Sequence, residues 1–146
     1  MAGVAKPKTI IWWLDGMRRC QTCKKYQDPS LYGRNVKSDD SLSPICKPCL
    51  AERELVKKYG ITLKDYDRML AEQKGGCRLC GITPEEQGKR LAVDHAHDCC
   101  PYRRDGRTCG KCIRGLLCED CNLGLGKFKD NPNLLRGAAD YLEGER

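Results

Sequence analysis

Cys77-Arg-Leu-Cys80, Val93-Asp94-His95-Ala96-His97 and Cys118-Glu-Asp-Cys121-Asn122 fall within one stretch of 46 residues. Two CxxC pairs flank the two histidines of the chain, and an asparagine follows the last cysteine directly. Paired CxxC motifs suit a four-thiolate zinc site. Such a site is closed and structural, and here it would clamp the two ends of the 37-residue excursion between Cys80 and Cys118. Inside the clamp lie Asp94, His95 and His97, and Asn122 stands at its edge; Asp, His and Asn are the residue types that place a divalent cation beside a phosphodiester and activate a water. The plainer alternatives are independent buried thiols or a redox pair for the cysteines, and surface histidines or two extra zinc ligands for the imidazoles.

Residues 91–94, Leu-Ala-Val-Asp, read as a short strand. Side chains alternate along a strand, so Asp94 and His95 diverge while His95 and His97 share a face. That permits a carboxylate on a metal and an imidazole on a water without crowding. A neutral imidazole, with an ordinary pKa of roughly 6.5, is the natural base for that water. Asn122 offers a carbonyl oxygen suited to a hard cation such as Mg²⁺ and is anchored by its neighbour Cys121.

Composition explains why metal is needed at all. The chain has 146 residues, one Phe, two Trp and 32% charged residues, so its apolar core must be thin. Small domains with thin cores usually need staples. Twelve cysteines supply them. The N-terminal region has no secretory leader pattern, its apolar run 9–14 being only six residues long, and no run approaches the roughly 18 apolar residues of a membrane span. Zinc in a cytoplasmic setting is therefore expected over disulfides. The formal net charge is +7, but each four-thiolate zinc site subtracts two charges, leaving about +3 with two sites and about +1 with three. Distribution says more than the total. Residues 1–76 carry 15 Lys/Arg against 9 Asp/Glu, and residues 77–146 carry 12 against 11. Grip on a polyanion is expected to begin in the first half.

Along the chain, residues 1–8 read as a frayed arm. Cys20, Cys23, Cys46 and Cys49 form a second zinc set, its pairs 22 residues apart, with a zinc-ribbon or treble-clef layout and each pair on a tight turn. A helix is expected over 50–59, with Leu50, Leu55, Val56 and Tyr59 on one side and Gly60 as its C-cap. A second opens at Thr62 with a Thr62/Asp65 capping box and an apolar face of Leu63, Tyr66, Met69 and Leu70, and Gly75-Gly76 ends it. Residues 113–117 pair with the 91–94 strand. Asn131 and Pro132 start a helix to about Glu143, whose buried face is Leu134, Leu135, Ala138 and Leu142. Beyond the CxxC motifs no internal repeat is visible.

Taken together, Cys77-x-x-Cys80, 93–97 and Ile113-Arg-Gly-Leu-Leu-Cys-Glu-Asp-Cys-Asn122 closely resemble the phage recombination endonuclease VII group of HNH, or His-Me finger, nucleases. The resemblance runs from about Cys20 to Leu142. It implies a small, zinc-stapled α+β protein with a ββα-metal nuclease core over residues 61–146, behind an N-terminal zinc-binding module with a basic surface over residues 1–60. It implies that Asp94 and Asn122 bind the catalytic Mg²⁺ or Mn²⁺, that His95 is the general base, and that His97 assists at the phosphate or leaving group. DNA is the implied partner, branched or junction DNA an implied substrate, and the cytoplasm of a bacterial host the implied setting. Where the family's best-known member has a glutamate three residues beyond the asparagine, this chain has Leu125. The helical region through which that enzyme dimerises is largely missing after Asn122, so a homodimer stays an open expectation.

The insertion 98–111 and its edge hold Cys99, Cys100, Cys109 and Cys112, with Arg103, Arg104 and Arg107 between them. One reading is a third zinc loop, in which adjacent Cys99 and Cys100 supply one ligand and His97 or water completes the set. The other is an exposed arginine-rich loop with reducible thiols. On either account these arginines, together with Arg114, are expected to contact phosphates. The rival function is a non-catalytic zinc-binding regulator that holds DNA or RNA, which leaves the grouping of Asp94, His95 and Asn122 without a reason. A RING- or LIM-type interaction domain predicts interleaved sites and an apolar groove, and neither pattern is evident.

Overall fold

The computed structural model describes residues 11–99 and 107–144. The chain divides into two compact units, Met1–Glu54 and Leu55–Arg146.

The first unit opens with an antiparallel meander, β1 (Trp13–Leu14), β2 (Met17–Arg19) and β3 (Tyr26–Gln27). Asp15 and Gly16 join β1 to β2 with φ of 48° and 74°, the positive pair that a two-residue hairpin turn demands. A hairpin of β4 (Tyr32–Arg34) and β5 (Leu42–Cys46) follows, and the chain passes from Cys46 straight into helix α1 (Lys47–Tyr59). The buried centre of this unit is Cys20, Tyr32 and Cys46, so the cysteines are much of the core. The guanidinium of Arg18, itself buried, donates to both carboxylate oxygens of Asp40 (2.7 and 3.3 Å) and to the Ser43 carbonyl (2.8 Å). That bond set, with Ser38 adding a donor, holds Asp40 well below the usual carboxylate range.

The second unit follows the expected helices closely. Helix α2 (Leu63–Glu72) begins with both arms of the Thr62/Asp65 capping box in place. A short helix α3 (Pro84–Gln87), capped the same way by Thr83 and Glu86, was not anticipated. Strands β6 (Ala92–His95) and β7 (Ile113–Leu117) pair antiparallel, and helix α4 (Glu119–Lys127) follows, which makes the ββα unit. Helix α5 (Pro132–Glu143) starts at the Asn131 cap, whose side chain accepts from the amides of Asn133 and Leu134. The core joins Tyr66, Leu91, Val93, Leu116 and Leu117 to Cys77 and Cys118. Tyr66 keeps its hydroxyl satisfied inside by donating to the Leu91 carbonyl (3.0 Å).

Three expectations need correction. Helix α5 buries none of its residues among the described ones, with Leu134 half exposed and Leu142 83% exposed. Its apolar stripe exists, but only Leu135 and Ala138 are partly covered. The chain also carries a structural repeat. In the first unit, Cys20 N–H donates to Lys25 O, Lys24 N–H to Cys20 O, and Gln21 N–H to Pro44 O. In the second, Cys77 N–H donates to Ile82 O, Gly81 N–H to Cys77 O, and Arg78 N–H to Leu116 O. The offsets from the cysteines are identical. Each unit is a zinc-knuckle turn, an antiparallel hairpin, and a helix that starts at the second cysteine pair. The second pair thus lies at a strand-to-helix junction in both units, not on a hairpin turn. This is the treble-clef layout, used twice.

Candidate active site and metal centres

The second copy alone carries histidine. Four residues beyond its third cysteine stands Asn122, where the first copy has Leu50. Asp94 and His95 close strand β6, and the register there is irregular: Asp94 faces Gly115 and His95 faces Ile113, so Arg114 is the extra residue of a bulge. A bulge kinks the strand and re-aims a side chain. Here it accompanies an Arg114 guanidinium that lies across Asp94, with Nε 2.7 Å from Oδ2 and Nη2 2.8 Å from Oδ1. Nη2 also reaches Asp130 Oδ2 at 3.1 Å. The two carboxylates raise the Arg114 pKa further above its already high ordinary value, the hydrogen bonds it donates to Asp94 contributing most. Asp94 is buried, so a bidentate cationic partner offsets the cost of its charge.

Gly115 makes the bulge sterically admissible. A Cβ there would stand 2.8 Å from Gln73 Oε1 and 3.0 Å from Arg78 Cδ, and its φ is 156°. Gln73 is so close because its amide pairs with Leu116 like a further strand, accepting from Leu116 N–H (2.8 Å) and donating to Leu116 O (2.9 Å).

His95 and His97 lie together, ring centroids 4.7 Å apart and tilted by 41°. Tyr59 meets His95 edge-on at 5.9 Å. Burial lowers the His95 pKa below its ordinary 6.5, with His97 and then Lys58 adding to the shift against an opposing pull from Asp94. At neutral pH the His95 imidazole is therefore uncharged and able to accept a proton. His97 is exposed, just beyond the end of β6. The Ala96 N–H, between the two histidines, donates to the Cys112 carbonyl (2.9 Å) and extends the ladder past the strand.

Asn122 lies in the first turn of α4, exposed, with Cys118 capping that helix through a Cys121 N–H to Sγ bond of 3.4 Å. Helix α4 packs against β6. Leu125 packs against the core instead of offering a carboxylate. Asp130 does offer one, at the turn between α4 and α5 where Lys129 and Asp130 both take positive φ. Sequence reading missed Asp130 and Tyr59, and no motif marks either.

Among the described residues, three groups of thiols could hold a metal: Cys20, Cys23, Cys46 and Cys49; Cys77, Cys80, Cys118 and Cys121; and Cys99, Cys109 and Cys112. Within each, one ligand atom per residue lies within 4.8 Å of the others, in keeping with the roughly 3.8 Å sulfur separation of a tetrahedral site with Zn–S near 2.3 Å. Electrostatics repeats between the first two groups. Burial opposes ionisation of Cys20 and Cys77, yet backbone N–H donors overcome it and bring each to about 6. Burial drives Cys49 up to about 12, and Cys121 also upward. Each set thus pairs one thiol that ionises readily with one that holds its proton most firmly. Cys100, Arg103 and Arg104 lie outside the described residues, and Arg107 is exposed at the edge of that gap.

The family model of Recombination endonuclease VII matches residues 52–144. Two curated relatives are the Gene 59 proteins of Mycobacterium phages D29 and L5, 36% and 34% identical over 92 residues, in each case 62% of this chain. Those 92 residues cover 48% and 49% of the relatives, so the chain spans about half the length of the curated relatives it matches. Among solved structures, a β-β-α-Me type II restriction endonuclease, Hpy99I, aligns at 25% identity and a TM-score of 0.35, over 89% of this chain and 66% of that one.

Proposed function

The chain belongs to the recombination endonuclease VII family, and from that premise we propose that it is a metal-dependent DNA endonuclease that hydrolyses phosphodiester bonds. One observation carries the reading: a buried Asp94 and a partly buried His95 close one strand of the ββα hairpin, and the helix after the other strand carries Asn122 in its first turn. Asp94 and Asn122 are the oxygen donors for Mg²⁺ or Mn²⁺. Arg114 uses one lone pair on each Asp94 oxygen, and an ionised carboxylate has about four such sites, so capacity remains for a cation. Bound there, the cation would stabilise charge developing on the phosphate and the leaving oxygen. His95 takes a proton from the attacking water as the new P–O bond forms and the scissile one breaks. His97, exposed beside it, serves the phosphate or the departing oxygen.

Arg114 changes role in this reading. Its two carboxylate partners make it a positioning residue for Asp94, and phosphate grip falls to Arg103, Arg104 and Arg107. The four-thiolate groups hold structural zinc. The proposed setting is the cytoplasm of a bacterial host. Branched or junction DNA is the proposed preferred substrate, and resolving a junction takes two nicks, for which a homodimer is the simplest arrangement.

Nicking of a supercoiled plasmid tests the proposal. The wild-type protein should nick only with added Mg²⁺ or Mn²⁺. His95→Ala should lower the rate by a factor on the order of 10² while zinc content and folding persist. A variant that nicks at the wild-type rate would overturn the mechanism. Matched linear, flap and four-way DNA then rank the substrates.

A further inference from the structure

We propose that Cys99, Cys109 and Cys112 hold a third zinc ion, which fastens the connection between β6 and β7 immediately beside His97. The three sulfurs lie within 4.8 Å of one another, and Cys99 Sγ is 3.7 Å from Cys109 Sγ. Nine residues lie between those two in sequence, so the approach is built by the fold and is not forced by adjacency.

The fold builds it from the far side of the loop. Thr108, buried, donates its hydroxyl to the Tyr59 carbonyl (3.0 Å) and its N–H to the Lys58 carbonyl (2.8 Å), which docks the loop on the end of α1. Gly110 follows with a φ of 76°, and a Cβ there would stand 3.4 Å from Tyr59 O. The glycine of Cys109-Gly-Lys-Cys112 therefore lets the pair turn against the helix end. Cys112, buried, is then fixed opposite Ala96 through the Ala96 N–H bond to its carbonyl. Cys99 comes from the other strand end, two residues past His97.

Hydrophobic burial does not account for the grouping, because Cys99 and Cys109 are exposed and neither belongs to an apolar cluster. Thiolate chemistry does account for it. Three soft sulfur donors at this spacing select zinc over Mg²⁺ or Ca²⁺, with water able to complete the tetrahedron. The ion would join the outgoing end of β6 to the incoming end of β7. A structural cation is thereby placed two residues from one catalytic candidate.

The test is zinc content and thiol protection in the full chain, purified under reducing conditions and dialysed. Elemental mass spectrometry should return three zinc ions per chain, and two would overturn the proposal. Alkylation with a maleimide, mapped by peptide mass, needs no variant. Cys99 and Cys109 are exposed, so bare thiols would react at once. Protection of Cys99, Cys109 and Cys112 that is lifted by a chelator supports the site. Immediate labelling, or labelling released only by a reductant as for a disulfide, would overturn it. Cys109→Ser should lose one ion of three and keep its circular-dichroism spectrum. The inference is independent of the nuclease reading: an inactive protein with three ions would sink that reading alone, and an active one with two would sink this one alone.

Discussion

Arg114, the extra residue of a one-residue bulge, donates two hydrogen bonds to the Asp94 carboxylate across the hairpin, at 2.7 and 2.8 Å. The proposed cation ligand is thus charge-neutralised by its own hairpin before any cation arrives. Removing the guanidinium leaves a buried carboxylate unpaired. The cost for a fully buried pair is about 3–5 kcal/mol, and since Arg114 keeps 38% of its side chain in solvent we expect about 1–2 kcal/mol for Arg114→Ala. Mg²⁺ should then restore more thermal stability to the variant than to the wild type, because the cation replaces the lost positive charge. Melts with and without Mg²⁺ decide this. Equal shifts in both proteins would mean that no cation binds at Asp94.

His95 sets the expected pH dependence. As a base it must be neutral, and burial, His97 and Lys58 place its pKa below the ordinary 6.5. The cleavage rate should therefore rise as pH climbs through a midpoint below that value and then level off. Lys58 contributes to the lowering, so Lys58→Ala should move the midpoint upward. Single-turnover rates against pH at saturating Mg²⁺ measure both. A wild-type midpoint above 6.5, or a Lys58→Ala midpoint that falls, would contradict the assignment.

Cys80 tests whether the second cluster is structural. The core is thin, and a four-thiolate zinc site contributes folding energy outright. Cys80→Ser should unfold the second unit, not merely slow the enzyme, and the loss should appear as a missing cooperative transition by circular dichroism. A melt close to wild type would show that the cluster does not hold the fold together.

Much of this architecture was legible because local chemistry wrote it. Thr62 and Asp65 sit at capping-box spacing, Asn131-Pro132 starts a helix, and the paired CxxC motifs bracket the hairpin. What stayed hidden was relational. Periodicity shows that Leu134 and Leu142 share a stripe of α5, but not whether anything covers it. The repeat was masked because 22 residues separate the pairs in one copy and 37 in the other, while the hydrogen bonds that define it run through backbone atoms. Arg114 read as a phosphate contact because charge alone does not reveal a cross-strand carboxylate, and the bulge that accompanies the pairing leaves no signature beyond a glycine. Asp15-Gly16 is legible too, an Asp-Gly pair of the kind that takes the two positive φ values of a tight hairpin turn.

Gly115 offers the sharpest steric test of the site's frame. Its would-be Cβ meets Gln73 Oε1 at 2.8 Å and its φ of 156° disfavours any side chain, so Gly115→Ala should cost roughly 2 kcal/mol or more. Truncating the neighbour would relieve the clash on paper. Gln73, however, supplies both an acceptor for Leu116 N–H and a donor to Leu116 O, and Leu116 is fully buried. Removing the amide leaves that buried N–H unpaired, at about 1–3 kcal/mol. The double variant Gln73→Ala, Gly115→Ala should therefore melt no higher than Gly115→Ala alone. Rescue by the second substitution would show that the Gln73 bonds to β7 are dispensable and that the clash was the whole effect.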